Sequence, residues 1–166
     1  MPLTQLLVLA LVLLAACQST DTTSVDPLNA TYIFAQRTVT LSNGLFEEPA
    51  APGSAARAAT RLHDKRAAGD LNADGIPDAA VVLVYQGGGS GTFYSLSVLL
   101  GTGLGKSAPT NDVSLGDRIG IDAVRIEGGR VTVDTLDRRP GEALATTSVR
   151  VTRVFQVTGG TLREIK

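Results

Sequence analysis

One apolar segment constrains the fold of this chain more than any other feature. Residues 79–85, Ala-Ala-Val-Val-Leu-Val-Tyr, are apolar at every position and follow a polar loop over residues 69–78. A strand of this kind is usually covered on both faces, whereas a strand with one solvated face alternates. Seven residues are also few for a helix. The sequence therefore predicts a central strand with packing partners on both sides.

Short strand-like segments with turn signals between them make up most of the remaining chain. Asn43-Gly44 predicts a tight hairpin, and a switch of apolar face between Ala123 and Val124 predicts a bulge or a bend. Residues 101–111 read as a Gly-rich connector. The pattern predicts one all-β domain, mainly antiparallel, as a sandwich or curved sheet, with at most a short helix near residues 54–60. The predicted strands cover residues 31–34, 37–41, 45–46, 79–85, 92–100, 119–126, 130–137, 148–157 and 161–165.

The N-terminal segment indicates export. Residues 1–16 carry no charged side chain and contain an eleven-residue apolar run, the length of a signal-peptide core and too short to span a bilayer. Leu-Ala-Ala-Cys, ending at Cys17, resembles the lipobox of bacterial lipoproteins, although the first residues lack Lys or Arg. We expect cleavage before Cys17, lipidation of its thiol, a flexible tether over residues 17–29 and a domain over residues 30–166. Membrane attachment would then run through Cys17, and Gln18 in the next position favours the outer membrane.

Charge and cysteine content exclude several classes of function. The chain has 15 basic and 16 acidic side chains and a formal net charge of −1, so it lacks the positive charge that attracts nucleic acid. Cys17 is the single cysteine, which excludes a disulfide within the mature domain.

The polar loop before the apolar strand has the spacing of a calcium site. Calcium is bound by six to eight oxygens, often from Asp and Asn side chains at alternating positions with a Gly at the sharp turn. The alternative is a tight turn in which these side chains accept hydrogen bonds from their own backbone. The loop resembles the calcium loops of FG-GAP repeats and dockerins rather than an EF-hand, whose final Glu is replaced by Val81. The predicted ligands are Asp70, Asn72, Asp74, the carbonyl of Ile76, and Asp78.

Other polar groups give weaker signals. The Gly-rich segment 87–91 lacks the Lys of a phosphate loop and leads into a strand, so it reads as a hairpin loop. The single histidine, His63, has no recognisable nucleophile motif and reads as a solvated loop residue. Asp134 and Asp137 are a weak candidate for a glycosidase pair.

Two charged turns form a candidate binding surface: Asp117, Arg118, Arg138 and Arg139. Their arginines are able to hold a carboxylate or phosphate, but local pairing with Asp137 and Glu142 is favoured. Arg153, on an apolar strand face, is expected to pair with an acid.

Several segments in order resemble a group of uncharacterised bacterial exported lipoproteins: Gly-Asp-Leu-Asn-Ala-Asp-Gly, Asp-Ala-Ala-Val-Val, Gly-Gly-Ser-Gly-Thr-Phe-Tyr, Leu-Gly-Asp-Arg-Ile and Asp-Arg-Arg-Pro-Gly-Glu. The resemblance implies an anchored single domain and no defined activity. We therefore expect a non-catalytic envelope module with a calcium-stabilised loop. The alternatives are a protein that binds a carbohydrate, a peptidoglycan fragment or a foreign hydrolase through its charged turns, and a metal-assisted hydrolase.

Overall fold

The computed structural model describes residues 24–139, 141–142 and 149–166, and nearly all of them lie in antiparallel strands or the turns between them. The predicted all-β class is confirmed. The strands are β1 (Thr31–Phe34), β2 (Arg37–Thr40), β3 (Leu45–Pro49), β4 (Arg57–Gly69), β5 (Asp78–Gln86), β6 (Phe93–Gly103), β7 (Lys106–Pro109), β8 (Val113–Asp117), β9 (Gly120–Glu127), β10 (Arg130–Asp137), β11 (Val149–Thr158) and β12 (Thr161–Ile165).

The strands form three sheets. A six-stranded sheet has the order β3-β4-β5-β6-β7, with β8 pairing the first half of β6 while β7 pairs the second half. A four-stranded sheet has the order β12-β11-β10-β9, and β1 and β2 form a separate two-stranded hairpin. The six-stranded sheet is the middle layer, because each of its faces contributes to a different apolar cluster.

Strand β5 is covered on both faces, as its uninterrupted apolar sequence predicts. One face of the middle sheet packs on the four-stranded sheet, and the other lies beneath the β1–β2 hairpin; we call these the core face and the hairpin face. The core face contributes Ala80, Val82, Leu96 and Val98 to a cluster with Val131, Val133 and Phe155. The hairpin face contributes Ala79, Val81, Leu83 and Leu99 to a cluster with Tyr32, Phe34, Val39 and Leu41.

Two local predictions need correction, and the short helix allowed near residues 54–60 is absent. Residues 57–60 instead begin β4, which is the longest strand of the described chain. Residues 101–111 are not a plain connector, since they contain the end of β6 and all of β7. Asp117 ends strand β8 rather than lying within a turn. In each case pairing with a neighbouring strand overrides weak local propensity, which is strongly dependent on context in sheets.

Two local predictions are confirmed, the tight turn at Asn43-Gly44 and an irregularity in β9. Asn43 and Gly44 have φ of 51° and 79°, the left-handed values of a two-residue hairpin, and Ser42 and Leu45 exchange both backbone hydrogen bonds across the turn. Strand β9 has a bulge at Asp122. Ala123 pairs with Asp134 and Ile121 pairs with the next residue of β10, so Asp122 is an extra residue between them.

The domain extends further toward the N-terminus than residue 30. Val25 packs on the hairpin-face cluster, and the Tyr32 hydroxyl donates to the carbonyl of Pro27 at 2.7 Å. Residues Pro27–Asn29 form a 3-10 turn capped by Asp26, whose carboxylate accepts from Leu28 N at 3.0 Å. Residues 24–29, expected to belong to the tether, therefore lie against the sheet.

Candidate functional site

An open groove of about 630 Å³ lies on the hairpin face, beyond the tip of the β1–β2 hairpin. Its floor is a strip across neighbouring strands of the middle sheet, and its walls are the hairpin tip and the loop between β3 and β4. The groove is lined by Phe34, Ala35, Arg37, Glu48, Pro49, Ala50, Ala51, Pro52, Ala58, Tyr85, Phe93, Ser95, Asp112 and Ser114. A volume of this size is typical of ligand pockets.

The floor of the groove is aromatic. Tyr85 and Phe93 are directly opposite each other on β5 and β6, so their side chains stand side by side on the hairpin face. The ring of Phe34 lies 5.6 Å from that of Tyr85, centroid to centroid, at an angle of 44°. Phe93 is 47% exposed although it belongs to an interior strand. Three of the seven aromatic residues of the chain therefore meet in one groove.

The walls of the groove are polar, and their charges are largely paired. Arg37 donates two hydrogen bonds to Glu48, at 2.9 and 3.3 Å, and this contact raises the pKa of the guanidinium. On the opposite wall, Asp112 accepts from Ala35 N at 3.2 Å. Ala35 and Gln36 form the hairpin tip with φ of 48° and 62°, which non-glycine residues rarely adopt. The contact with Asp112 helps to hold this strained turn over the groove.

The Gly-rich loop 87–91 orients the exposed ring. A Cβ atom on Gly91 would lie 2.7 Å from the ring of Phe93, so the loop lies against the ring and a larger residue at this position would displace it. Arg118 holds this loop: its Nε donates to Ser90 O at 2.9 Å. Asp117 accepts from Thr92 N at 2.9 Å and pairs with Arg118 at 3.4 Å. The predicted binding residues Asp117 and Arg118 therefore fasten a loop beside the groove.

The second charged turn, which contains Arg138 and Arg139, is held by hydrogen bonds that its backbone amides donate. The amide of Arg138 donates to Asp137 Oδ1, and the amide of Arg139 donates to Glu142 Oε2, both at 2.8 Å. In both contacts the acid accepts from a main-chain amide, and pairing of the guanidinium groups with Asp137 and Glu142 stays a prediction. Arg139 itself is exposed.

The polar loop over residues 69–78 lies at the start of β5, away from the groove. Asp70 accepts from three backbone amides, those of Ala73, Gly75 and Asn72, at 2.7, 3.0 and 3.2 Å. These bonds, led by the Gly75 amide, lower the pKa of Asp70. Asp74 accepts from Ile76 N and from Asn72 Nδ2, both at 2.8 Å. These hydrogen bonds lie within the loop, and they match the alternative prediction of a tight turn whose side chains accept hydrogen bonds from their own backbone.

Asp78 has a different role from the other predicted calcium ligands. It is 1% exposed, and its two carboxylate oxygens accept from Leu71 N and Gly101 N, each at 2.8 Å. Burial raises the pKa of this carboxyl group. Asp78 thus ties both ends of the loop to the sheet, while Asp70, Asn72 and Asp74 remain exposed.

Calcium binding stays a prediction. The exposed oxygens of Asp70, Asn72 and Asp74, with the carbonyl of Ile76, are the hard donors calcium prefers, and each carboxylate has further acceptor capacity. The described residues contain no group of three or more His, Cys, Asp or Glu side chains arranged to hold a metal ion. Cys17, the predicted lipidation site, lies outside the residues that the structure describes.

The other candidate groups take structural positions. His63 is not a solvated loop residue: it lies in a bulge of β4, near Tyr94 on the core face, and burial lowers its pKa. Asp134 and Asp137 are three residues apart on β10 and so point to opposite faces, which excludes them as a glycosidase pair. Arg153 pairs with Glu164 at 2.6 and 2.9 Å, as expected for a structural arginine.

Fold and groove together define a three-sheet β module with an aromatic site on its middle layer. A comparison of the chain with protein-family models, curated proteins and solved structures found no match. Among the described residues, no helix has the length and apolar character needed to cross a bilayer. The sequence does not reveal the groove because its lining residues come from six separate segments, which meet only when the strands pair and the sheets pack.

Proposed function

We propose that the mature protein is a non-catalytic, lipid-anchored module of the bacterial cell envelope that binds a ligand in the aromatic groove. The observation that carries the proposal is the pairing of Phe93, 47% exposed, with Tyr85 on the floor of an open concave surface. Burying such a ring in a folded protein is favourable, so an aromatic pair left open in a groove is typical of a binding site.

The position of the groove supports this role in an anchored protein. Ser24 and Val25 lie beside Pro77 and Asp78, at the start of β5, whereas the groove begins at the other end of that strand. The seven residue-to-residue steps from Cys17 to Ser24 span at most about 25 Å when extended. An acyl group on Cys17 would hold the polar-loop end near the membrane and leave the groove accessible.

The polar groups of the groove support binding rather than catalysis. Arg37 and Glu48 neutralise each other, and Asp112 already accepts a backbone amide. His63 is near Tyr94 on the core face, so the middle sheet separates it from the groove. We propose that the loop over residues 69–78 stabilises the domain, with calcium as its predicted ion.

Anchoring is tested by metabolic labelling with radioactive palmitate. The wild-type protein should carry label and sediment with membranes, and outer-membrane fractions are the expected location. Cys17→Ser should lose the label and stay in the unprocessed form. A labelled Cys17→Ser protein, or an unlabelled wild type, would contradict the anchor.

Binding in the groove is tested by photo-crosslinking in cells. The photoreactive amino acid p-benzoylphenylalanine replaces Phe93 in one variant and Leu104, which is 84% exposed in the β6–β7 turn, in the control. An adduct that forms at position 93 and not at position 104 supports a ligand in the groove, and its mass identifies the class of ligand. Equal adducts at both positions, or none at position 93, would reject the groove as a binding site.

A further inference from the structure

The groove has chemical features that select among ligands. Its charged lining residues are Arg37, Glu48 and Asp112. Arg37 is held by two hydrogen bonds to Glu48, so the cation that an anionic ligand would need is already neutralised. Asp112 leaves the lining with one excess negative charge. The site therefore disfavours phosphates, sulfates and carboxylates, because like charges repel and a buried charge without a partner is costly.

The floor of the groove also disfavours an extended peptide that adds a strand. Such a peptide binds at a sheet edge, where unpaired backbone N–H and C=O groups are available. Tyr85 and Phe93 lie on strands that are hydrogen-bonded on both sides, β5 between β4 and β6, and β6 between β5 and β8. The aromatic part of the floor therefore offers ring faces, and the edge strands β3 and β8 lie at the two ends of the groove.

What the groove does offer is an apolar floor with hydroxyl and charged groups around it. Tyr85 and Phe93 supply the floor, and the polar groups at its sides are Ser95, Ser114, Asp112, and the Arg37–Glu48 pair. Together these side chains both donate and accept hydrogen bonds. A pyranose ring has the matching form, because its C–H face is apolar and its hydroxyl groups both donate and accept.

The length of the groove fits a chain of several sugar rings rather than a single sugar ring. Its lining crosses from Glu48 on β3 to Ser114 on β8, which is four strand spacings or about 19 Å. A second concavity of about 560 Å³ continues past the hairpin tip and shares Ala35, Asp112 and Ser114 with the first. Ile33, another exposed apolar side chain, lines that extension.

Building on the proposed binding function, we infer that the groove binds a neutral oligosaccharide, with its sugar rings stacked on Tyr85 and Phe93. The hydroxyl groups would hydrogen-bond to Asp112, Ser114 and the Arg37–Glu48 pair. The excess negative charge and the neutralised arginine make the site selective against uronic acids and phosphorylated glycans.

The inference is tested by isothermal titration calorimetry on the full chain in mild detergent. The probes are chitohexaose, cellohexaose and maltohexaose, with hexagalacturonate as the anionic arm and a basic proline-rich decapeptide as the peptide arm. We expect at least one neutral hexasaccharide to bind and hexagalacturonate not to bind. Failure of all three neutral hexasaccharides, or preference for the decapeptide, overturns the inference.

Variants locate the binding within the groove. Phe93→Ala should weaken neutral-saccharide binding about tenfold through the loss of ring stacking, whereas Phe93→Tyr should retain it. Leu104→Ala is the control, since it removes an exposed apolar side chain outside the groove. Glu48→Gln should free Arg37 and raise the affinity for hexagalacturonate. Saccharide binding that is unchanged in Phe93→Ala would overturn the assignment.

The experiments distinguish failure of the proposed binding function from failure of the oligosaccharide inference. A crosslinked protein at position 93 without any saccharide binding would preserve the binding module and reject the neutral oligosaccharide. Absence of both a crosslink at position 93 and saccharide binding would reject the groove itself.

Discussion

Asp78 Oδ1 accepts a hydrogen bond from Gly101 N at 2.8 Å, and this bond joins the end of the polar loop to β6. Gly101 has no room for a side chain, because a Cβ atom there would lie 2.5 Å from the carbonyl oxygen of Pro77. The second oxygen of Asp78 accepts from Leu71 N, so one buried carboxylate closes the loop and docks it on the sheet.

Replacing Asp78 with asparagine should destabilise the domain by about 1–3 kcal/mol. The amide side chain has one acceptor oxygen, so either Leu71 N or Gly101 N faces an NH₂ group and loses its partner. Urea denaturation at neutral pH measures the difference. Asp64→Asn, at an exposed site in the β4 bulge, is the matched control. Equal stability of the two variants would contradict the role of Asp78.

Removing the hydroxyl of Ser97 should stabilise the protein. Ser97 is fully buried on the hairpin face, and its Oγ has no hydrogen-bond partner among the described residues. Burying an unpaired hydroxyl group is unfavourable, so Ser97→Ala should raise the free energy of unfolding by about 1 kcal/mol. Ser114→Ala, at an exposed position, should leave the unfolding midpoint unchanged. A lower midpoint for Ser97→Ala would show that the hydroxyl has a partner in solution.

Truncating Arg118 should loosen the Gly-rich loop. Arg118 Nε donates to Ser90 O, and Asp117 accepts from Thr92 N, so both residues hold the segment that leads to Phe93. Arg118→Ala should cost about 1 kcal/mol and increase amide hydrogen exchange over residues 87–92. Arg118→Lys should not restore protection, because lysine lacks the planar fork. Arg139→Ala is the control at an exposed arginine, and exchange equal to wild type in Arg118→Ala would contradict the clamp.

Local patterns predict the parts of this fold that depend on local sequence. The apolar run around Val82 predicts the two-sided central strand, and Asn43-Gly44 predicts the tight turn between β2 and β3, because burial and turn geometry depend on adjacent residues. Strand β4 was missed because alanine and charged residues have low strand propensity, and its conformation comes from pairing with β3 and β5. The groove was missed because Phe34, Tyr85 and Phe93 meet only after the sheets pack.

Stability should fall in acid through Asp70. Its pKa is lowered in the folded protein by the amide of Gly75 and neighbouring amides, so its stabilising effect is present above the ordinary value of 3.8 and is lost as the pH falls through the folded value. The unfolding midpoint of the wild type should therefore drop below about pH 4 more than that of Asp70→Asn. Glu127→Gln, at an exposed carboxylate, should follow the wild-type profile. Parallel profiles for wild type and Asp70→Asn would contradict the effect.

If the exposed oxygens of Asp70, Asn72 and Asp74 bind calcium, calcium should raise the melting temperature of the protein by several degrees. A ligand that binds the folded state and not the unfolded state stabilises the folded state by mass action. Differential scanning fluorimetry measures the melting temperature in about 5 mM calcium, magnesium or chelator. This concentration exceeds the dissociation constant that is usual for extracellular calcium modules. Asp74→Ala should abolish the rise, and Asp64→Ala should retain it. Because Asp78 is 1% exposed whereas the other loop acids are exposed, the rise should persist in Asp78→Asn from a lower starting temperature. An equal response to magnesium, or none to calcium, would mean that the hydrogen-bonded turn alone explains the loop.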